Sequence, residues 1–123
     1  MTVKTSTATI WQRDDGIIEL KYDDGIIETL QTVKENFEAC VKITKGEKYL
    51  VLVDSSHIGF ANADARDFVA KSPNTNKVMI KAAVISNTYV GAALANLFIN
   101  IDKPSFPFKV FKSREKAIEW LKK

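Results

Sequence analysis

The residues that first suggest chemistry are consecutive: Asp54, Ser55, Ser56 and His57. By type they supply a nucleophile, a base and a group to orient it. A triad works when its members come from separate elements and converge in space. Neighbours in an extended loop point in different directions, and no glycine-flanked elbow frames either serine. The four therefore read as a polar loop at the carboxyl end of a strand. That place matters, because open parallel sheets bind ligands just beyond the carboxyl ends of their strands. Asn62 and Asp64 continue the segment to the start of a helix. Ser86-Asn87-Thr88 ends another strand and opens another helix, where backbone amides can hold an anion and Asn or Thr can serve as a cap. The expected ligand or partner surface is thus Asp54, Ser55, Ser56, His57, Asn62, Asp64, Asn87 and Thr88.

Other chemistries are short of residues. One cysteine, Cys40, allows no internal disulfide and no cysteine-cluster zinc site, and one histidine allows no two-histidine metal site. No metal and no cofactor is expected. Gly59 stands alone and Gly91 lies inside a helical pattern, so no phosphate-binding glycine loop is present. The pentapeptide Asp-Asp-Gly-Ile-Ile occurs at 14–18 and again at 23–27. The two turns sit at opposite ends of one strand, about 23 Å apart at ~3.3 Å per residue, too far to share a cation. They read as two turns of similar chemistry.

The composition bounds the class. The chain has 123 residues, 46% hydrophobic and 27% charged, with a formal charge of +3. This is one soluble domain spanning 1–123. Its basic residues are scattered, so no nucleic-acid stripe forms. No secretory signal opens it, and a cytoplasmic location is expected. The stretch 82–101 lacks charge, but Ser86, Asn87, Thr88, Asn96 and Asn100 interrupt it. A buried strand and helix are expected there, with no membrane span.

The elements follow from periodicity. Residues 1–5 look frayed. Two strands, 6–13 and 17–22, form a hairpin about Asp15-Gly16. A helix over 29–45 carries the stripe Leu30, Val33, Phe37, Cys40 and Val41, and Gly46 stops it. Cys40 on that stripe reads as a buried small hydrophobe. Three apolar strands, 49–53, 78–85 and 108–111, alternate with helices over 63–71, 88–101 and from 114 to the end. Continuous apolar strands separated by helices imply a parallel sheet covered by helices. The expectation is an α/β fold with a mixed five-stranded sheet, antiparallel hairpin first and parallel strand–helix units after, with four main helices.

The helix over 88–101 stands apart. Val90, Ala93, Leu94, Leu97, Phe98 and Ile101 make one apolar face, and Ala92, Ala95 and Ile99 add a second. A helix apolar nearly all round is buried on more than one side. Another helix, an apolar ligand or a second copy in a homodimer would cover it, with Ala92, Ala95 and Ile99 as the interface.

The order of elements, closing on Phe108-Lys109-Val110-Phe111, a polar turn and Glu115-Lys116-Ala117-Ile118-Glu119-Trp120-Leu121, resembles the SpoIIAA-like fold of STAS domains. The likeness covers almost the whole chain and is similar to the ends of many uncharacterised bacterial proteins of that fold. It implies a regulatory protein-binding module. In the antagonists of this family, phosphorylation of a serine opening the helix after the central strand switches binding to an anti-sigma kinase. Anchored on Phe60, that segment falls on Asn62-Ala63-Asp64, which has no hydroxyl, while Asp54-Ser55-Ser56 ends the strand directly. The expected function is therefore non-enzymatic binding or regulation through a protein partner at 54–64. The alternative is carriage of a small apolar or lipid-like molecule beside the helix over 88–101.

Overall fold

The computed structural model describes residues 1–123. Its strands are β1 (Thr2–Lys4), β2 (Ala8–Gln12), β3 (Ile18–Tyr22), β4 (Ile27–Glu28), β5 (Tyr49–Asp54), β6 (Phe60–Ala61), β7 (Met79–Ile85) and β8 (Phe108–Phe111). Its helices are α1 (Leu30–Thr44), α2 (Ala63–Lys71), α3 (Pro73–Val78), α4 (Tyr89–Leu97) and α5 (Arg114–Leu121), and a π turn over Phe98–Asp102 continues α4. Six strands form one sheet in the order β1-β2-β3-β5-β7-β8. The first three are antiparallel, and β3, β5, β7 and β8 run parallel. The α/β class and its mixed sheet are as expected.

Three details differ from the expectation. The sheet has six strands, because Thr2–Lys4 pairs with β2 through Val3 opposite Ile10. A short edge strand with one inward apolar residue leaves little period-2 signal. The stretch after α2 forms a further helix, α3. Pro73 occupies its first turn, where no amide hydrogen is needed, and Ser72 Oγ accepts from Asn74 N. Lastly, β4 and β6 make a separate two-residue parallel pair. It clips the turn after β3 to the loop after β5. Gly59 permits that contact: a Cβ there would lie 2.8 Å from the carbonyl oxygens of Gly25 and Ile26.

Two cores follow from the alternation along each strand. On one face Ile10, Ile18, Leu20, Val51 and Ala82 pack with Cys40 of α1. On the other, Ile17, Leu52, Ala83 and Ile85 pack under Ala117 and Leu121 of α5. Each fully buried aliphatic side chain contributes roughly 1.5–3 kcal/mol. The α5 face is further pinned by Glu19, 3% exposed, which accepts from Arg114 Nη1 at 2.9 Å and Nη2 at 2.6 Å and from Arg13 Nη1 at 3.2 Å. No helix is long and apolar enough to cross a membrane.

Candidate functional site

The polar residues at the carboxyl edge do not converge. Ser55 is buried, and both its N and its Oγ donate to Ile85 O, at 3.1 and 2.9 Å. Ser56 N donates to Asp54 Oδ1 at 3.1 Å. The exposed His57 turns away toward the neighbouring turn, with Nδ1 2.9 Å from Asp24 Oδ1. Its carbonyl accepts from Gly25 N at 2.7 Å. No base faces either serine, so the four residues stitch β5 to β7 and to the 23–25 turn. Asn62 and Asp64 are exposed at the start of α2, where Asp64 Oδ1 accepts from Ala65 N at 2.8 Å. Thr88 caps α4 by accepting from Gly91 N at 3.1 Å, and Asn87 beside it is exposed.

The structure instead forms a cavity of about 170 Å³, partly open to solvent, between the sheet and the helices on its first face. Its floor is β3, β5, β7 and β8, represented by Leu20, Val51, Val53, Val84 and Phe108. Its roof is α1, α2 and α4, through Val33, Phe37, Val69, Leu94 and Ala95. Twenty of its 26 lining residues are hydrophobic, so the interior favours an apolar guest. Small side chains make the space. Ala65, Ala82 and Ala95 stand where larger residues would fill it. An engineered apolar cavity of ~150 Å³ holds benzene, which sets the scale of guest that fits.

Polar groups sit at defined points of the wall. Glu28, 1% exposed, accepts from Thr7 Oγ1 at 2.5 Å and from Asn36 Nδ2 at 3.1 and 3.3 Å. Asn36 Oδ1 in turn accepts from Thr5 Oγ1 at 2.5 Å. Burial pushes the Glu28 carboxyl above its ordinary range, against the donors Thr7, Thr32 and Asn36. Arg66 Nε pairs with Asp102 Oδ2 at 2.8 Å, and Nη1 donates to Ala61 O at 2.6 Å. The pair joins α2 to the π turn and is almost wholly buried. Burial also pushes the Cys40 thiol up to about 11 and holds the Tyr22 and Tyr49 phenols far above their ordinary value.

Of the three interface candidates, Ala95 is buried and lines the cavity, whereas Ala92 and Ile99 are exposed. Sequence reasoning passed over Glu28, Asn36 and Arg66. Asn36 was visible as a polar residue within the apolar stripe of α1, between Val33 and Cys40. Glu28 and Arg66 carry no such signal, because only the tertiary fold buries them.

A family model described as "Domain of unknown function (DUF7793)" matches residues 10–123. A solved structure, that of an uncharacterized protein from the DUF3478 family with a SpoIIAA-like fold from Shewanella loihica PV-4, matches at a TM-score of 0.61 and 17% identity. The match covers 98% of this chain and 98% of that one. At this identity the likeness is one of fold, and the fold here is SpoIIAA-like. No curated protein matches. The chain belongs to the DUF7793 family.

Proposed function

We propose that this domain binds a small apolar molecule in the cavity between its sheet and α1, α2 and α4, without transforming it. The observation that carries this reading is the cavity itself: about 170 Å³ with a predominantly hydrophobic lining, in a domain of 123 residues. An apolar pocket of that size, even partly open to solvent, leaves its lining short of the contacts that a close-packed core makes. Binding regains those contacts. The volume favours a guest near the size of a single aromatic ring over a long acyl chain. Glu28 and Asn36 are held by each other and by Thr7 and Thr5, Arg66 is held by Asp102, and no nucleophile–base pair forms among the polar groups of the wall, which favours binding over catalysis.

A second reading rests on a different observation. Ile27 and Phe60 are cross-strand neighbours in the β4–β6 pair and both are exposed. Tyr89, at the start of α4, is 94% exposed. Exposed apolar side chains near the 54–64 loop would suit a protein partner, and Val90 on α4 with Ile99 and Ile101 on the π turn would suit a second copy. A regulatory module of this fold could use both, with guest binding under α4 altering the surface that α4 presents.

Native mass spectrometry of the freshly purified protein tests the primary reading. We expect a small-molecule adduct lost on denaturation, or uptake of one equivalent of toluene by the bare protein. A protein that carries nothing and takes up nothing would refute it.

A further inference from the structure

Folding buries three acidic side chains: Glu19, Glu28 and Asp102, at 3%, 1% and 8% exposure. Two of them have a cation. Arg114 Nη2 stands 2.6 Å from Glu19 Oε2, and Arg66 Nε stands 2.8 Å from Asp102 Oδ2. Glu28, the most deeply buried, pairs with no lysine, arginine or histidine. Its neighbours are neutral. Oε1 accepts from Thr7 Oγ1 at 2.5 Å and from Asn36 Nδ2 at 3.1 Å, and Oε2 meets the same amide at 3.3 Å. The Thr32 hydroxyl, also near the carboxyl, is shared with Thr29 O at 3.1 Å. An ionised carboxylate offers about four acceptor positions, so these donors leave room for another.

That room adjoins the cavity. Along β4, Ile27 is exposed and Glu28 turns inward. Glu28 and Asn36 line the cavity, whereas Thr5 and Thr7, which hold them, stand behind the wall. The only basic residue of the lining, Arg66, is engaged by Asp102 and by Ala61 O at 2.6 Å. The wall thus carries one carboxyl without a counter-charge and no free cation. A buried carboxylate in that position is strongly disfavoured, and burial raises the pKa of this one. A proton relieves it, and so does a cation from outside. Folding has already dehydrated the carboxyl, so a guest ammonium loses only its own hydration. The open side of the cavity leaves water for N–H groups that do not reach Glu28.

We propose that the guest is a ring-sized apolar amine, bound as its ammonium with one N–H donated to Glu28 Oε2 and its ring among the apolar side chains. This deepens the binding function proposed above and rests on it. Where Glu28 starts as the acid, a neutral amine takes its proton; where it starts ionised, the ammonium brings its own. Both routes end in the same ion pair. An anion would meet Glu28 with no free cation to receive it.

Titration calorimetry at neutral pH with benzylamine, benzyl alcohol and toluene tests the proposal. The three share a ring and differ at one substituent. A hydrogen bond to a charged group outweighs one between neutral groups by roughly tenfold in affinity. Benzylamine should therefore bind about tenfold or more tightly than benzyl alcohol in the wild type. Glu28→Gln keeps the size of the side chain and removes its charge. In that variant, with its thermal transition showing that it is folded, the preference for benzylamine should vanish. The wild-type comparison needs no variant. If toluene and benzyl alcohol bind and benzylamine binds no tighter than the alcohol, Glu28 does not receive the guest, while the cavity reading stands. A preference that persists in Glu28→Gln would put the ammonium elsewhere and overturn the proposal. Binding of none of the three would overturn both this proposal and the function it rests on.

Discussion

Glu28 is a carboxyl that folding removes almost completely from water, and its hydrogen bonds join β4, the β1–β2 connection and α1. Because burial raises its pKa, the folded state holds the Glu28 proton more tightly than the unfolded chain does. Stability from this group is complete below about 4.3 and falls as the pH climbs through the folded value. Asp15 acts in the opposite sense and lower down. Arg13 holds its carboxyl down to about 2, so its contribution is present above ~3.9 and lost as the pH falls through about 2. Glu28→Gln removes the first effect and leaves the second. Urea midpoints between pH 4 and 7 should decline for the wild type and stay flatter for the variant; parallel curves would contradict this assignment. At this scale the sequence was partly legible. The lone Cys40 reads correctly as a buried stripe residue, because helical spacing alone puts it inward. Glu28 draws no reading from the sequence, since nothing local after Asp23-Asp24-Gly25 says that β6 and α1 will cover it.

The elements were more legible than the residues. Short apolar runs such as Tyr49–Val53, rich in β-branched residues and too short for a helix, fit strands that pack on both faces, and the alternation with helices fits a parallel sheet. What escaped were pieces too short for a period: β1, the β4–β6 pair and α3, each fixed by pairing or capping. The apolar character of α4 was visible, but not its division of labour. Gly91, Leu94, Ala95 and Phe98 face the cavity, while Val90, Ile99 and Ile101 remain exposed. The π turn that ends α4 is held to α2 by the Arg66–Asp102 pair, which two positions thirty-six residues apart give no means of foreseeing. Ile99 is 40% exposed. Ile99→Lys should therefore leave the melting transition within roughly 0.5 kcal/mol of the wild type. If α4 joins two copies, sedimentation should show the variant dissociated at concentrations where the wild type associates. Unfolding of the variant would instead place Ile99 in the core, against the geometry seen here.

At the scale of the whole molecule, one face of the sheet is closed by α5 with Leu52, Ala83 and Leu121 in contact, and the other is roofed by three helices over open volume. That asymmetry underlies the binding reading, and it could not be read from the sequence, where Ala65, Ala82 and Ala95 look like ordinary small core residues. Thermal unfolding of the wild type and of Ala95→Leu, each with rising toluene, tests it most directly. Ala95 lines the cavity, so the larger side chain occupies the volume a guest would take. A guest at a hundredfold excess over its dissociation constant stabilises the fold by about 2.7 kcal/mol, a rise in Tm on the order of 10 °C. We expect that rise in the wild type and little or none in Ala95→Leu. A wild-type midpoint that does not move, or one that rises equally in the variant, would contradict a guest site beneath α4.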